Sequence, residues 1–106
     1  MKLKTSKLSK LENNRFSVFY NLNQCCYCGD NRQITLHEIF AGKNRRNSMK
    51  YGFVLPLCLR CHQMIQNDAT YNNMWYKEAQ IYFENNIGSR DDFIKVFRKN
   101  YIQKKD

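Results

Sequence analysis

The feature that constrains this chain most is a pair of Cys-x-x-Cys knuckles, Cys25-Cys26-Tyr27-Cys28 and Cys58-Leu59-Arg60-Cys61, with 29 residues between them. Each short knuckle offers two sulfurs to one face of an ion, and two such knuckles suit a tetrahedral Zn²⁺ held by four thiolates. Five cysteines make an odd count, which argues against a closed set of disulfides in an exported mini-protein. Structural zinc on Cys25, Cys28, Cys58 and Cys61 leaves Cys26 as the spare thiol, since pairing Cys26 with Cys28 needs a tighter and less common knuckle. A chain of 106 residues buries only a modest core, and a metal staple supplies what that size lacks.

Charge narrows the partners. Eighteen Lys and Arg stand against nine Asp and Glu, a net of +9, and such a field favours polyanions, above all nucleic acid. There is no long apolar run, no basic apolar leader with a cleavage site and no basic helix with a clean apolar face. A soluble intracellular chain is expected, with no membrane and no small-molecule substrate as partner.

Along the chain, residues 1–14 carry Lys2, Lys4, Lys7 and Lys10 among polar residues with weak periodicity, and are expected to form a flexible basic arm. Residues 15–103 are expected to form a single zinc domain. Phe16, Val18, Phe19 and Tyr20 make a short apolar cluster that should pack on the zinc module. After a turn at Gly29-Asp30-Asn31, the alternation over 33–40 predicts a strand. Ile34, Leu36 and Glu38 then lie on one face, and Thr35, His37 and Ile39 on the other. Residues 41–52 read as a loop with a helical turn around 47–51; its Lys43, Arg45, Arg46 and Lys50 are candidate phosphate contacts.

A second strand is expected over 53–57, where Pro56 implies an edge position or an early end, followed by a helix over 59–66 that starts at the second knuckle and carries His62. Together these make a core of about residues 25–68. Helical spacing of Trp75, Ala79, Tyr82 and Phe83 predicts a helix over about 71–86. Ser89-x-x-Asp92 reads as a capping box for a last helix over about 89–101, whose stripe of Phe93, Val96, Phe97 and Tyr101 is read as core.

His37-Glu38-Ile39 on a strand, a basic loop, and Cys58-x-x-Cys61-His62 opening a helix resemble the ββα-metal (His-Me finger) motif of HNH endonucleases, in its form with two Cys-x-x-Cys pairs. The layout Leu36-His37-Glu38-Ile39-Phe40-x-Gly42-x-x-Arg45, then Ser48-Met49-Lys50-Tyr51-Gly52 and Pro56-Leu57-Cys58, is similar to small HNH proteins of phages and prophages. The likeness covers most of the chain after about Phe16. It implies an α+β fold, a small zinc-stapled ββα core followed by two packed helices.

The resemblance also implies an activity: hydrolysis of a DNA phosphodiester with a divalent ion, Mg²⁺ or Mn²⁺, in the cytoplasm of a bacterial host. The implied catalytic residues are His37, Glu38 and His62, which also hold the catalytic ion. Two frames are open. Aligned on Ile39, His37 is the ion's ligand and Glu38 the general base; in the other frame His37 is the base and Glu38 an oxygen ligand suited to Mg²⁺. The chain departs from the family pattern at Gln66, where related nucleases often carry a second helix histidine; Asn67 and Asp68 are nearby oxygen donors. The asparagine of the family name is also displaced, with Asn44 and Asn47 as candidates.

One site of this kind nicks one strand; cutting both needs a homodimer or a second pass, and a phage DNA-processing protein is a further candidate partner. The competing reading is a zinc-stabilised DNA-binding module whose nuclease site has degenerated. RNA as substrate is a third.

Overall fold

Two short antiparallel strands carry His37 and Cys58, the first cysteine of the second knuckle. The computed structural model describes residues 2–102, with side chains from Leu8 onward. Its elements are α1 (Lys2–Asn13), β1 (Ile34–Glu38), a 3₁₀ turn (Gly42–Asn44), α2 (Arg45–Tyr51), β2 (Val54–Cys58), α3 (Leu59–Ile65), α4 (Ala69–Asn86) and α5 (Arg90–Phe97). This is a mixed α/β chain with one two-stranded sheet and five α-helices among the described residues. It divides between Met64 and Ile65 into two compact units. No helix of the described residues is long and apolar enough to cross a membrane.

In the first unit, β1 and β2 pair with Thr35 opposite Leu57, Leu36 opposite Pro56 and His37 opposite Leu55. Hydrogen bonds from Ile39 N–H to Phe53 O (2.9 Å) and from Leu59 N–H to Gln33 O (3.0 Å) continue the ladder at either end. These odd-numbered β1 positions are the hydrogen-bonded pairs of an antiparallel ladder, so Pro56 falls at a position whose backbone groups point away from β1. There the missing proline N–H costs nothing, and the outward Pro56 carbonyl accepts from Cys26 N–H at 2.8 Å. The first knuckle is thereby stitched to the outer edge of β2. All five residues of β2 are buried.

β1 is shorter than the 33–40 expected. At its start Gln33 has φ +52°, a left-handed value that extended backbone does not allow. The 41–52 segment is more helical than a loop with one turn. Ser48 and Met49 are buried, and the Ser48 hydroxyl donates to Phe40 O (2.9 Å) and accepts from Phe40 N–H (2.8 Å), docking α2 on the end of β1. Gly52 ends α2 at φ +77°. Phe53, with rings of Phe19, Phe40 and Tyr51 within 6.0–6.2 Å of its own, centres the apolar cluster.

Within residues 1–14, expected as a flexible basic arm, Lys2–Asn13 form α1; Met1 lies outside the described residues. Leu8 and Leu11, three apart, are half-buried, and Glu12 on the same helix pairs with Arg45. Apolar and ionic contacts thus fix a segment whose sequence has little helical periodicity.

In the second unit, α4 starts at Ala69, two residues before the expected 71, because Asp68 caps it by accepting from Tyr71 N–H at 3.0 Å. Ser89 and Asp92 form the expected reciprocal capping box on α5. That helix stops at Phe97, not 101, where Arg98 turns left-handed at φ +72° and donates its N–H to Ile94 O at 2.7 Å. Phe83, Phe93 and Phe97 interlock with ring centroids 4.8–6.5 Å apart, and Tyr101, beyond the helix, still packs on Phe93 and Tyr76. Gln103, at the end of the expected domain, lies outside the described residues.

Candidate functional site

Cys25, Cys28, Cys58 and Cys61 converge, with all four sulfurs within 4.8 Å of one another. The Cys28 and Cys58 sulfurs are 3.7 Å apart, and two ligands of a tetrahedral Zn²⁺ with bonds of about 2.3 Å sit about 3.8 Å apart. The donor set and its spacing fit a structural metal such as zinc.

The first knuckle is built by local hydrogen bonds. Gly29 N–H donates to Cys25 O at 2.9 Å with Gly29 at φ +85°, and the N–H groups of Tyr27 and Cys28 each approach Cys25 Sγ at 3.4 Å. Burial raises the Cys25 thiol, but the N–H groups of Cys28, Cys58 and Tyr27 outweigh it and lower it overall. Cys61 moves the other way, pushed up by burial and by the neighbouring sulfurs. Sulfurs this close resist shared ionisation, and a divalent cation is the group that makes four thiolates compatible. Arg60 beside Cys28, and Arg32 near Cys58, offset the negative charge of such a cluster. Cys26, the spare thiol, lies outside the four-sulfur group.

One residue beyond Cys61, His62 turns back toward β1. Its Nδ1 lies 2.6 Å from Thr35 Oγ1, whose hydroxyl donates to Leu57 O at 2.7 Å, and its Nε2 lies 3.3 Å from His37 Nδ1. The two imidazole rings are nearly perpendicular, at 82°, with centroids 5.1 Å apart. The alternation that puts Thr35 and His37 on one face of β1 is what brings both to His62. Burial lowers the His62 pKa and the charge of Glu38 partly opposes it, so the ring is favoured neutral, the form that binds metals. Two nitrogens on one ion at bonds of about 2.0–2.1 Å lie about 3.0–3.4 Å apart, and the 3.3 Å gap between His37 and His62 fits a shared cation.

Glu38 is differently engaged. Its Oε2 accepts from Arg15 Nη1 at 2.6 Å and its Oε1 from Arg45 Nε at 3.2 Å, while Arg45 Nη2 reaches Glu12 Oε2 at 2.6 Å. The Glu38 side chain is only 13% exposed. Both carboxylate oxygens therefore already carry cationic partners. Arg45, expected among the phosphate contacts, is the guanidinium shared by the two glutamates.

The remaining basic residues stay at the surface. Lys43 and Arg46 line a shallow recess with Gly42, Asn47 and Leu8, and Lys50 lies 5.5 Å over the Tyr51 ring. Gln66 is exposed and follows the last residue of α3, and Asp68 caps α4. Thr35, Arg15 and Glu12 were not singled out by sequence. For Thr35 the signal was present, two residues before His37 on the same strand face. For Arg15 there was none, since it meets Glu38 across 23 residues of chain. No family model matches the chain, and searches of curated proteins and solved structures return no significant match.

Proposed function

We propose that the chain is a metal-dependent endonuclease of the HNH, ββα-metal type that nicks DNA with low sequence preference. The observation that carries this reading is the pairing of His37 Nδ1 with His62 Nε2 at 3.3 Å, between β1 and the helix that carries Cys61 of the four-cysteine cluster. His37 and His62 are the residues suited to hold a catalytic divalent ion, and two imidazole nitrogens suit Mn²⁺ better than Mg²⁺, which prefers oxygen. Such an ion supplies electrostatic stabilisation for the charge that builds on the phosphate and its leaving oxygen.

The chain's own residues do the rest. Lys43, Arg46 and Lys50 grip phosphates, consistent with the net charge of +9, so binding should weaken steeply with salt and discriminate little among sequences. Glu38 follows His37 but alternates to the other face of β1, so as proton acceptor for the attacking water in this frame it would have to turn toward the histidine pair. To act it must free one oxygen from Arg15 or Arg45.

That same double ion pair favours a second reading, a zinc-stabilised DNA-binding module in which Glu38 is purely structural. A plasmid-nicking assay with Mg²⁺ and Mn²⁺ on wild type, His62→Ala and Glu38→Gln separates the two. The nuclease reading expects metal-dependent nicking by wild type that both variants lose by at least about 100-fold, the scale of general acid–base catalysis. DNA binding without nicking under either ion leaves the binding module.

A further inference from the structure

We infer that Thr35 is a positioning residue that sets which nitrogen of His62 carries the proton, and so presents the Nε2 lone pair toward His37. A threonine hydroxyl has one hydrogen to donate. Here Thr35 Oγ1 sits 2.7 Å from Leu57 O, an oxygen that can only accept, and two oxygens at that separation need a hydrogen between them. The hydroxyl proton is thereby committed to the Leu57 carbonyl, and the 2.6 Å contact with His62 Nδ1 leaves Thr35 as acceptor and Nδ1–H as donor.

A neutral imidazole with its proton on Nδ1 has its lone pair on Nε2. That nitrogen is the one 3.3 Å from His37 Nδ1. Metal-binding histidines are commonly held this way, with the distant ring N–H satisfied by an oxygen acceptor that fixes both tautomer and ring orientation.

The register of the strands makes the relay. Leu57 is paired with Thr35 across the sheet and immediately precedes Cys58, so the acceptor carbonyl lies on the strand that leads into the second knuckle and the hydroxyl meets it from β1. The consequence for metal binding rests on the proposed nuclease site; the tautomer does not, and can be read in the absence of any added ion.

Ring ¹H–¹⁵N correlations of the zinc-loaded, full-length protein report the tautomer directly. Wild type should show His62 with a protonated Nδ1 and an unprotonated Nε2. Thr35→Val, which keeps the shape and removes the hydroxyl, should shift the proton toward Nε2, and Thr35→Ser should restore the wild-type pattern. With the cysteine cluster already filled by Zn²⁺, Co²⁺ should bind the histidine pair about 10–100-fold more weakly in Thr35→Val than in wild type or Thr35→Ser. A protonated Nε2 in wild type overturns the inference, even if Thr35→Val does not fold. Equal Co²⁺ affinity in the Val and Ser variants overturns the consequence for metal binding and leaves the tautomer to the ring readout. The ring readout decides the role of Thr35 whether or not wild type cuts DNA, so its failure and that of the nuclease reading are separate results.

Discussion

Cys61 and His62 are consecutive residues on α3 whose side chains serve different groups: the thiol joins the other three sulfurs, while the imidazole reaches Thr35 and His37 on β1. A helix turns about 100° per residue, so one short helix can face both groups at once. The price is dependence. His62 directly follows Cys61, so a change that frees Cys61 also loosens the backbone from which His62 reaches Thr35 and His37.

Metal removal should therefore disrupt the histidine pair along with the cluster. The purified chain is expected to hold one zinc, with Cys26→Ser retaining it and Cys28→Ser losing it, as measured by elemental analysis. Structural zinc contributes on the order of 10 kcal/mol of binding free energy, comparable to the whole stability of about 5–15 kcal/mol for a small domain. Chelation should consequently abolish the cooperative melt of the first unit and erase the His37–His62 contact. An unchanged melt after complete metal removal would contradict a structural role for the four cysteines.

Gly52 is the next sensitive point. It closes α2 at φ +77°, and a Cβ there would come within 2.4 Å of Phe16 Cε2. The left-handed backbone alone costs a non-glycine residue about 1–2 kcal/mol. Phe16 is 47% exposed and can swing aside, so the clash adds little beyond a displaced ring. Gly52→Ala should lower stability by about 1–2 kcal/mol in urea denaturation. A loss below about 0.5 kcal/mol would mean the turn relaxes to negative φ.

What could be read from the sequence follows the range of the forces involved. The knuckle spacing, the Ser89–Asp92 cap and the strand alternation that aligns Thr35 with His37 are local patterns, and each element formed within a few residues of its expected bounds. α1 was not legible, because Glu12 and Arg15 meet Arg45 and Glu38 across 33 and 23 residues. The same long-range pairing hid the state of Glu38. Its place beside His37 is plain in the sequence, but its engagement with two guanidinium groups is a property of the folded chain. The early end of α5 had a different cause: the periodicity ran on to Tyr101, yet Arg98 took the left-handed conformation that usually calls for glycine.

The second unit has its own polar keystone. Gln80 is fully buried; its amide donates to Glu84 Oε2 and Asn100 Oδ1, each at 2.8 Å, and its carbonyl accepts from Tyr101 N–H at 2.7 Å. It ties the chain after α5 back onto α4. Gln80→Leu keeps the volume but strands the Tyr101 N–H, and should cost about 1–3 kcal/mol. Hydrogen exchange at Tyr101 should accelerate in the variant, and protection equal to wild type would show that water replaces the lost partner.

Acid should weaken this unit through two carboxylates. Arg90, with Gln80, holds Glu84 below its ordinary 4.5, and the Ser89 N–H and hydroxyl hold Asp92 below 3.8. A folded pKa below the unfolded one means the folded state binds protons less readily. The stabilisation is therefore complete above the unfolded values and is lost as pH falls through the lower, folded ones. Denaturation measured between pH 6 and pH 2 should show stability falling below about pH 4.5, and Glu84→Gln should flatten that slope. A variant with the wild-type acid slope would assign the loss to other groups.

The Arg15–Glu38–Arg45–Glu12 network makes the last prediction a question of coupling. Glu38 is 13% exposed and Arg15 24%, so the pair is shielded from solvent more than a surface ion pair but is not dry. Glu38→Gln keeps the shape and removes the charge shared by two guanidinium groups, and should cost about 1–3 kcal/mol, more than Arg15→Ala, which leaves Glu38 its contact with Arg45. If the Arg15–Glu38 contact itself stabilises the fold, the double variant should be less damaged than the sum of the singles, by about 0.5–1 kcal/mol. Raising the salt concentration should shrink that difference, because part of it is Coulombic and screened. Strict additivity would show that Arg15 contributes by packing alone, and α1 would then be held to α2 by Leu8, Leu11 and the Arg45–Glu12 pair, without help from the carboxylate beside His37.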